Sequence, residues 1–573
     1  VAAAPEGSPH GARYYVRDDG APKEGPVRYL IEERTLSGAS TVHGPLLAFV
    51  EPWARRRIGF AGGGGAGRLE TRPKRSAVVR PERVLWKSAS SRKALDPTSA
   101  VEITVDQPGV IEVSAEALAD AFGTELAEVR RRIASGEFAL SLEAEPVAWH
   151  SVDQGSALRF VVLEVVTPFA VERRFLLSAE EGLPMAEGAL ISRASSGPHP
   201  FLATRHLEQD LFAGTAAVPD PRQDLFFWHA LGPTDAATIS VDLPGIVPSE
   251  ARVLRLTIHA ATLHPDQPHR LEIIWNGVRL GTFDRWGRGR HRVDVPLAGL
   301  VAGAENELVI RQEQAGSSPP VVYVDSVAVD YLRLAEVDDD RFVFAAAEDG
   351  LASLTNLGPE ARYLYDVSEP RAPVFHGAVS ADRSGGFGFE ADGPDRRFLL
   401  VARSGIGEAV EIRPHLVPTL RSTKNETDYL IIAASHLVDA AERIADHRRA
   451  DGYRVMVVDV DEEFWAFAGG APDPNALQEL LAYAWRSWAS APRFVMLVGK
   501  GSHDYRDSLG LGGNWVPPML AATEDGLLPA DGSLGDVQGE DGIPEIAVGR
   551  LPLTDADQIE QILEWVRDFE QGQ

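Results

Sequence analysis

The chain has 573 residues, 84 acidic against 56 basic side chains for a formal net charge of −28, and no cysteine. At about 150 residues per domain it holds roughly three to five cores, and 44% hydrophobic with 24% charged residues is the composition of a folded globular chain. So acidic a surface repels phosphate backbones and anionic lipid, which argues against nucleic acid as a partner; the lack of cysteine excludes disulfides, thiolate metal sites and a cysteine nucleophile within these residues.

No apolar run reaches the roughly 20 residues that span a bilayer, so no transmembrane segment is expected. The opening "VAAAPEGSPHG" is rich in small residues and lacks an initiator methionine. It has the look of a chain trimmed after signal removal, or of a cloning boundary, and sets an expectation of an exported protein, secreted or on the cell surface. Residues 1–95 form a basic, Gly-rich region: from Arg55 to Lys93 the only acids are Glu70 and Glu82, and "AGGGGAG" interrupts the run. Such a run is a contact surface for an acidic partner or, more often, a solvated hairpin with a glycine turn.

From "AVEITVDQPGVIEVSAEALADAF" the pattern is one of short alternating strands, with helices at Ala115 to Phe122 and around Glu125 to Ile133. Strands "FALSLEAEPV", "LRFVVLEVV" and "RRFLLS" complete a small β-rich domain, 96–200. Strand candidates then recur without helices over 201–335, which predicts a jelly-roll-like β-sandwich. Asn276-Gly277 between two β runs predicts a type I′ hairpin, because both residues accept positive φ. Trp228, Trp275 and Trp286 are candidates for a binding platform, or for the core. Residues 336–420 continue as a β-rich connecting domain without visible chemistry.

Over 421–573 the period changes. A strand from Asp428 to Ala433 precedes a helix with Leu437, Val438, Ala441, Ile444 and Ala445 at helical spacing, then strand "YRVMVVDV". Asp473-Pro474 announces a helix with Leu477, Leu480, Leu481, Ala484, Trp485 and Trp488 on one face, followed by strand "RFVMLVG". After a long loop come strand "EIAVG" and a last helix opened by Thr554, its apolar face formed by Ile559, Ile562, Leu563, Val566 and Phe569. Apolar strands alternating with amphipathic helices predict an α/β domain on a parallel sheet, with function gathered at the carboxyl ends of its strands.

Two acidic loops lie there. His503, Asp504 and Asp507 follow Gly499 and form either a base with its orienter or a solvated turn, the latter more often. "TEDGLLPADGSLGDVQGEDGIPE" carries Glu524, Asp525, Asp531, Asp536, Glu540, Asp541 and Glu545 without a basic residue. Acids interleaved with glycine can wrap a hard cation in oxygen, which makes Asp531, Asp536, Asp541 and Glu545 candidate calcium ligands, although the spacing is not that of an EF-hand loop.

These C-terminal stretches, "DYLIIAASHLVDAAERIADHRRADGYRVMVVDVDEEF", "FVMLVGKGSHDY", "VPPM" and "DGSLGDVQGEDGIPEIAVGRLPLTDADQIEQILEWVRDFE", resemble the first half of the catalytic domain of gingipain-type cysteine peptidases, which have a caspase-like fold. The run Asp531, Gly535, Asp536, Gly539, Asp541, Pro544, Glu545, Val548, Gly549, Arg550 carries the resemblance most specifically; it is similar to an acidic, calcium-rich loop leading into a strand that ends Gly-Arg. Leu534 stands where an aromatic is more usual. The resemblance implies proteolysis by thiol acyl transfer on a protein or peptide substrate. In the family the catalytic cysteine and histidine lie in the second half of the domain, so no catalytic residue is expected within this chain. A second chain or C-terminal fragment is expected to complete the site. The competing expectation is a catalytically inactive surface binding or adhesion module, or a structural scaffold.

Overall fold

The computed structural model describes the strands Gly25–Arg34 and Ser40–Val50 and, from residue 100 to residue 572, all but short stretches at 216–217, 219–222, 262–267, 314–320, 347–349, 392, 394–395, 416–418, 524–525 and 540–541. The basic run from Arg55 to Lys93 lies outside the described residues. Contacts divide the chain into Val1–Lys93 and Ala94–Gln573. In the first unit Gly25–Arg34 and Ser40–Val50 pair as an antiparallel ribbon with an irregularity between Tyr29 and Ile31. No helix among the described residues is long and apolar enough to cross a membrane.

The second unit opens with a β-sandwich carrying two helices. Ser114 Oγ accepts the Ala117 N–H at 3.1 Å and caps helix Ala115–Phe122, and Gly123, at φ 63°, ends it in the left-handed region. Its buried face of Ala115, Leu118, Ala119 and Phe122 joins the core between a four-stranded and a five-stranded sheet. Two strands of that sandwich come from far along the chain: Gly407–Glu408 pairs with Gly109–Ser114, and Glu411–Pro414 with Ala100–Val105.

Residues 200–334 form the second sandwich. One sheet orders Pro200–Glu208, Val322–Leu334, Ile246–Ala260 and Gly289–Pro296; the other orders Ala236–Asp242, Glu305–Glu313, Pro268–Trp275 and Val278–Trp286. Asn276 at φ 48° and Gly277 at φ 77° form the expected tight turn. The tryptophan platform is not formed: Trp275 is a core residue whose indole N–H donates to the Val301 carbonyl at 3.1 Å, and Trp228 packs partly buried against the same core. The Trp286 side chain lies outside the described residues. A third sandwich uses strands from 341–402 together with Ala186–Glu187 and Ile191–Arg193.

The C-terminal α/β domain has four parallel strands in the order Val455–Asp459, Tyr429–Ala433, Phe494–Val498, Ala547–Leu551. Its helices pack as two pairs, Val438–Ala450 with Gln558–Glu570 and Val460–Ala468 with Pro474–Ser487. The first crossover runs to one side of Tyr429–Ala433 and the second to the other. Right-handed crossovers in opposite directions place their helices on opposite faces, which is why the strands are apolar on both sides. Asp473 caps the Pro474–Ser487 helix as expected, accepting the Asn475 N–H at 2.8 Å.

Three expectations need correction here. Val460–Ala468 is a helix that the apolar spacing did not announce; Asp459 caps it through the Asp461 N–H at 2.9 Å. The last helix begins at Gln558 rather than Thr554, because Gln558 Oε1 accepts the N–H groups of Thr554 and Asp555 and holds that turn outside the helix. Phe569 is 83% exposed rather than on the covered face, which Ile559 and Leu563 supply.

An ionic seam fixes this domain to the first sandwich. Asp461 Oδ1 accepts from Arg174 at 2.8 Å and Oδ2 from Arg413 at 2.5 Å, while buried Glu102 accepts from Arg413 Nε at 2.7 Å and pairs with His415 Nδ1 at 2.9 Å. Burial alone would raise the Asp461 carboxyl, but the two guanidiniums outweigh it and hold the group below the usual carboxylate range. Replacing Asp461 by Ala removes the carboxylate shared by Arg174 and Arg413 and leaves Arg413 to Glu102 and Arg174 to Glu172, at a cost of about 1–2 kcal/mol given partial exposure. That penalty, read by urea unfolding, is expected in full above pH about 4. It shrinks below that value, because a carboxyl depressed in the folded state loses its contribution as the pH falls through its folded pKa.

Candidate functional site

The chain reverses its direction of travel across the sheet between Tyr429–Ala433 and Phe494–Val498, so the crevice outside the carboxyl ends of those two strands is the natural ligand position. Ser435 and His436 follow the first strand. Ser435 Oγ donates to Asp459 Oδ1 at 2.8 Å, and the His436 ring meets Trp515 edge-on with centroids 4.5 Å apart. Gly499 ends the second strand at φ 148°, where a Cβ would lie 2.9 Å from Val516 Cγ2. The chain then turns under its own loop: Lys500 Nζ donates to the carbonyls of Leu511 at 3.1 Å and Gly512 at 2.9 Å.

The group at His503, Asp504 and Asp507 is a self-capped turn and not a base with its orienter. Asp504 is buried, and its two oxygens accept the N–H groups of Ser508 and Leu509, each at 2.8 Å. Asp507, at φ 56°, accepts the Gly512 N–H at 2.6 Å. His503 has no hydrogen-bond partner among the described residues.

The second acidic loop is organised by Arg550, the arginine that ends the fourth strand. Its guanidinium grips Asp531 with two bonds, at 2.6 and 3.0 Å, and donates to the carbonyls of Gly499 at 3.1 Å and Val516 at 2.7 Å. Asp536 Oδ2 accepts the Gly542 N–H at 2.7 Å, and Glu545 Oε2 accepts those of Val537 and Gln538 at 3.1 and 3.0 Å. Leu534 is fully buried, and a Cβ on Gly535 would fall 2.0 Å from the Ile546 carbonyl oxygen, so the backbone passes there too closely for any side chain. Asp541, with Glu524, Asp525 and Glu540, lies outside the described residues. Among those described, Asp531, Asp536 and Glu545 do not bring their ligand atoms together in one group. Asp531 is committed to Arg550, whereas Asp536 Oδ1 is buried without a hydrogen-bond partner and is the oxygen best suited to a cation.

The sequence did not reveal a contact between this region and the second sandwich. Arg506, from the turn after Asp504, reaches Asp210 at 2.8 Å and Asp224 at 2.9 Å and lies over the Phe226 ring. Tyr505, Leu520 and Leu527 pack with Phe226 and Phe227 in one apolar cluster. On the other side of the domain, Ala547–Leu551 pairs only with Phe494–Val498 among the described strands, and Trp565 and Phe569 are exposed on the last helix.

Peptidase family C25 matches residues 422–573. No curated protein is similar to the chain. Dimeric latent PorU from Porphyromonas gingivalis shares the fold with a TM-score of 0.57 at 15% identity, over 81% of this chain and 49% of that one, so the chain spans about half the length of that protein. Carbohydrate-binding module CBM36 in complex with calcium and xylotriose matches with a TM-score of 0.16 at 15% identity, over 22% of this chain and 98% of that one. The CBM36-1 domain of a multidomain xylanase from the hindgut metagenome of Trinervitermes trinervoides matches with a TM-score of 0.16 at 14% identity, over 23% and 96%. Scores that low bear on neither fold nor function.

Arg550 is the residue whose loss is felt across the site. Arg550→Ala is expected to destabilise the C-terminal domain by about 3–5 kcal/mol, and Arg550→Lys by roughly half that, since an ammonium keeps the charge and loses the fork. Thermal unfolding reads the first effect, and faster protease cleavage within 501–545 reads the loosened loops.

Proposed function

We propose, from the membership of residues 422–573 in peptidase family C25, that the protein is an exported gingipain-like cysteine peptidase and that these 573 residues are its portion without the Cys/His dyad. The family match on a four-stranded parallel sheet carries the reading. The chain has no cysteine, so the thiol must come from protein outside these residues. In the reaction a cysteine thiolate attacks the scissile carbonyl carbon, a histidine protonates the departing amine, backbone N–H groups hold the oxyanion, and water then releases the acyl group. This chain's part is to hold a wall of the cleft. Arg550, Lys500 and the two carboxylates of the Asp504–Asp507 turn lock the loops at the carboxyl edge, so that a substrate meets fixed backbone. The open edge of Ala547–Leu551, beside exposed Trp565 and Phe569, supports a docking position for the polypeptide that brings the dyad.

A second reading, an inactive binding module or scaffold of the same fold, is favoured by the commitment of the Asp504 and Asp507 carboxylates to backbone N–H groups, which leaves neither as a base. The two separate in one experiment. Produced together with the polypeptide encoded after Gln573, the protein is expected to cleave peptides and to label with a thiol-directed acyloxymethyl ketone. Produced alone, it is expected to do neither. An inert co-produced complex would decide for the module.

A calcium ion in the acidic loop belongs to the same proposal, with Asp536 and Asp541 as its candidate holders and cross-linking of like-charged turns as its role. Chelation by EDTA is expected to lower the melting temperature by about 3–6 °C, with Asp536→Asn removing part of that shift. An unchanged melting curve would count against the metal.

A further inference from the structure

The crevice at the carboxyl ends of Tyr429–Ala433 and Phe494–Val498 has an apolar floor. Gly499 lies between Ala434 and Val516: a Cβ on it would stand 2.9 Å from Val516 Cγ2 and 3.2 Å from Ala434 Cβ. Both flanking residues are buried and neither carries a polar side-chain atom. Just beyond Ala434 and just before Val516 come His436, which is exposed, and Trp515, which is half-buried. Their rings meet at 73° with centroids 4.5 Å apart and so make a corner of two aromatic planes. Backbone bonds hold the corner from below: the Ala434 N–H donates to the Val498 carbonyl at 2.9 Å, and the Trp515 N–H to the Lys500 carbonyl at 3.0 Å. Neither ring has a hydrogen-bond partner among the described residues.

The charged groups of this edge are already engaged. Lys500 closes its loop onto the carbonyls of Leu511 and Gly512. Arg550 holds both oxygens of Asp531 and the carbonyls of Gly499 and Val516. Asp504 accepts from the N–H groups of Ser508 and Leu509, and Asp507 from that of Gly512. Asp459 Oδ1 accepts from Ser435 Oγ and the Asp461 N–H. A basic side chain entering the crevice would lose water to meet carboxylates that already carry bonds, and an acidic one would meet cations that are already capped. What the crevice leaves unmet is an aromatic wall, an apolar floor and one imidazole. Mostly apolar lining with a polar group or two is the usual make-up of a pocket for an apolar group, and an aromatic plane adds edge-to-face contact with a ring.

We infer that Trp515 and His436 form the subsite for a bulky apolar side chain of a polypeptide substrate, one of the size of Phe or Leu. Calling that polypeptide a substrate rests on the peptidase reading; its binding does not. Binding is measured on the 573-residue chain by saturation-transfer NMR, with acetylated and amidated tetrapeptides that carry Phe, Leu, Ala, Arg or Glu at the third position between alanines. The Phe and Leu peptides are expected to bind about tenfold more tightly than the other three. Trp515→Ala should bring the Phe peptide to the level of the Ala peptide, whereas Trp515→Phe should keep most of the preference. His436→Ala, at an exposed position, should weaken the Phe peptide about threefold, and Trp565→Ala on the last helix should change nothing. A Phe peptide that binds no more tightly than the Arg peptide, or a preference that survives both Trp515→Ala and His436→Ala, would overturn the subsite. Activity separates this inference from the reading beneath it. If the chain produced with the polypeptide encoded after Gln573 cleaves peptides without favouring Phe or Leu, the subsite falls and the peptidase stands. If the chain prefers the Phe peptide and that complex cleaves nothing, the subsite stands as a peptide-binding pocket and the peptidase falls.

Discussion

The C-terminal domain depends on one guanidinium held in a fixed place. Arg550 sits where the fourth strand leaves the sheet, and its donors reach Asp531, Gly499 and Val516, three points far apart in sequence. The long connection between Phe494–Val498 and Ala547–Leu551 would otherwise carry unpaired carbonyls and a cluster of mutually repelling acids. Gly499 and Gly535 permit the close approaches that put those acceptors within reach. The geometry of the crevice is therefore set by hydrogen bonds to backbone as much as by the sheet beneath it.

The domains meet through charge where an apolar seam would also have been possible. Asp461 between Arg174 and Arg413, and Arg506 between Asp210 and Asp224, are partly buried ion pairs bridging the α/β domain to two different sandwiches. Such pairs add little net stability over a well-packed apolar contact, but a mispaired arrangement leaves a buried charge uncompensated and is strongly disfavoured. The seams thus select one relative orientation. The apolar clusters beside them, Tyr505 with Phe226 and Phe227 at one seam and Trp465 against His415 at the other, exclude water and strengthen the selection.

Local rules made much of this legible beforehand. Asp473-Pro474 as a helix start and Asn276-Gly277 as a turn each act over a few residues, so the chain states them openly. Helix Val460–Ala468 stayed hidden because its apolar residues Phe464, Trp465 and Phe467 follow an acidic first turn that reads as loop. Phe569 misled because helical spacing says which residues share a face and not how far the covering layer extends. The return of Glu411–Pro414 to Ala100–Val105 and the bulge at Asp325 are non-local pairings; no period in one segment can encode them. The same holds for the candidate site: the acids of the 531–545 loop were visible, whereas the engagement of Asp531 by Arg550 was not.

The choice of cation follows from what the seams require. From residue 94 onward only Lys424 and Lys500 are lysines, and the remaining basic charge is arginine. A planar guanidinium binds a carboxylate through two parallel bonds and loses less side-chain freedom per bond than a flexible ammonium, so it fixes direction as well as distance. Asp428 shows the pattern at the surface, where Arg454 reaches both of its oxygens. Lys500 is placed where direction matters less: its ammonium closes a loop by donating to two carbonyls that converge on one point. In a chain with so large an excess of acid, arginine forks turn carboxylates that would drive the domains apart into the contacts that orient them.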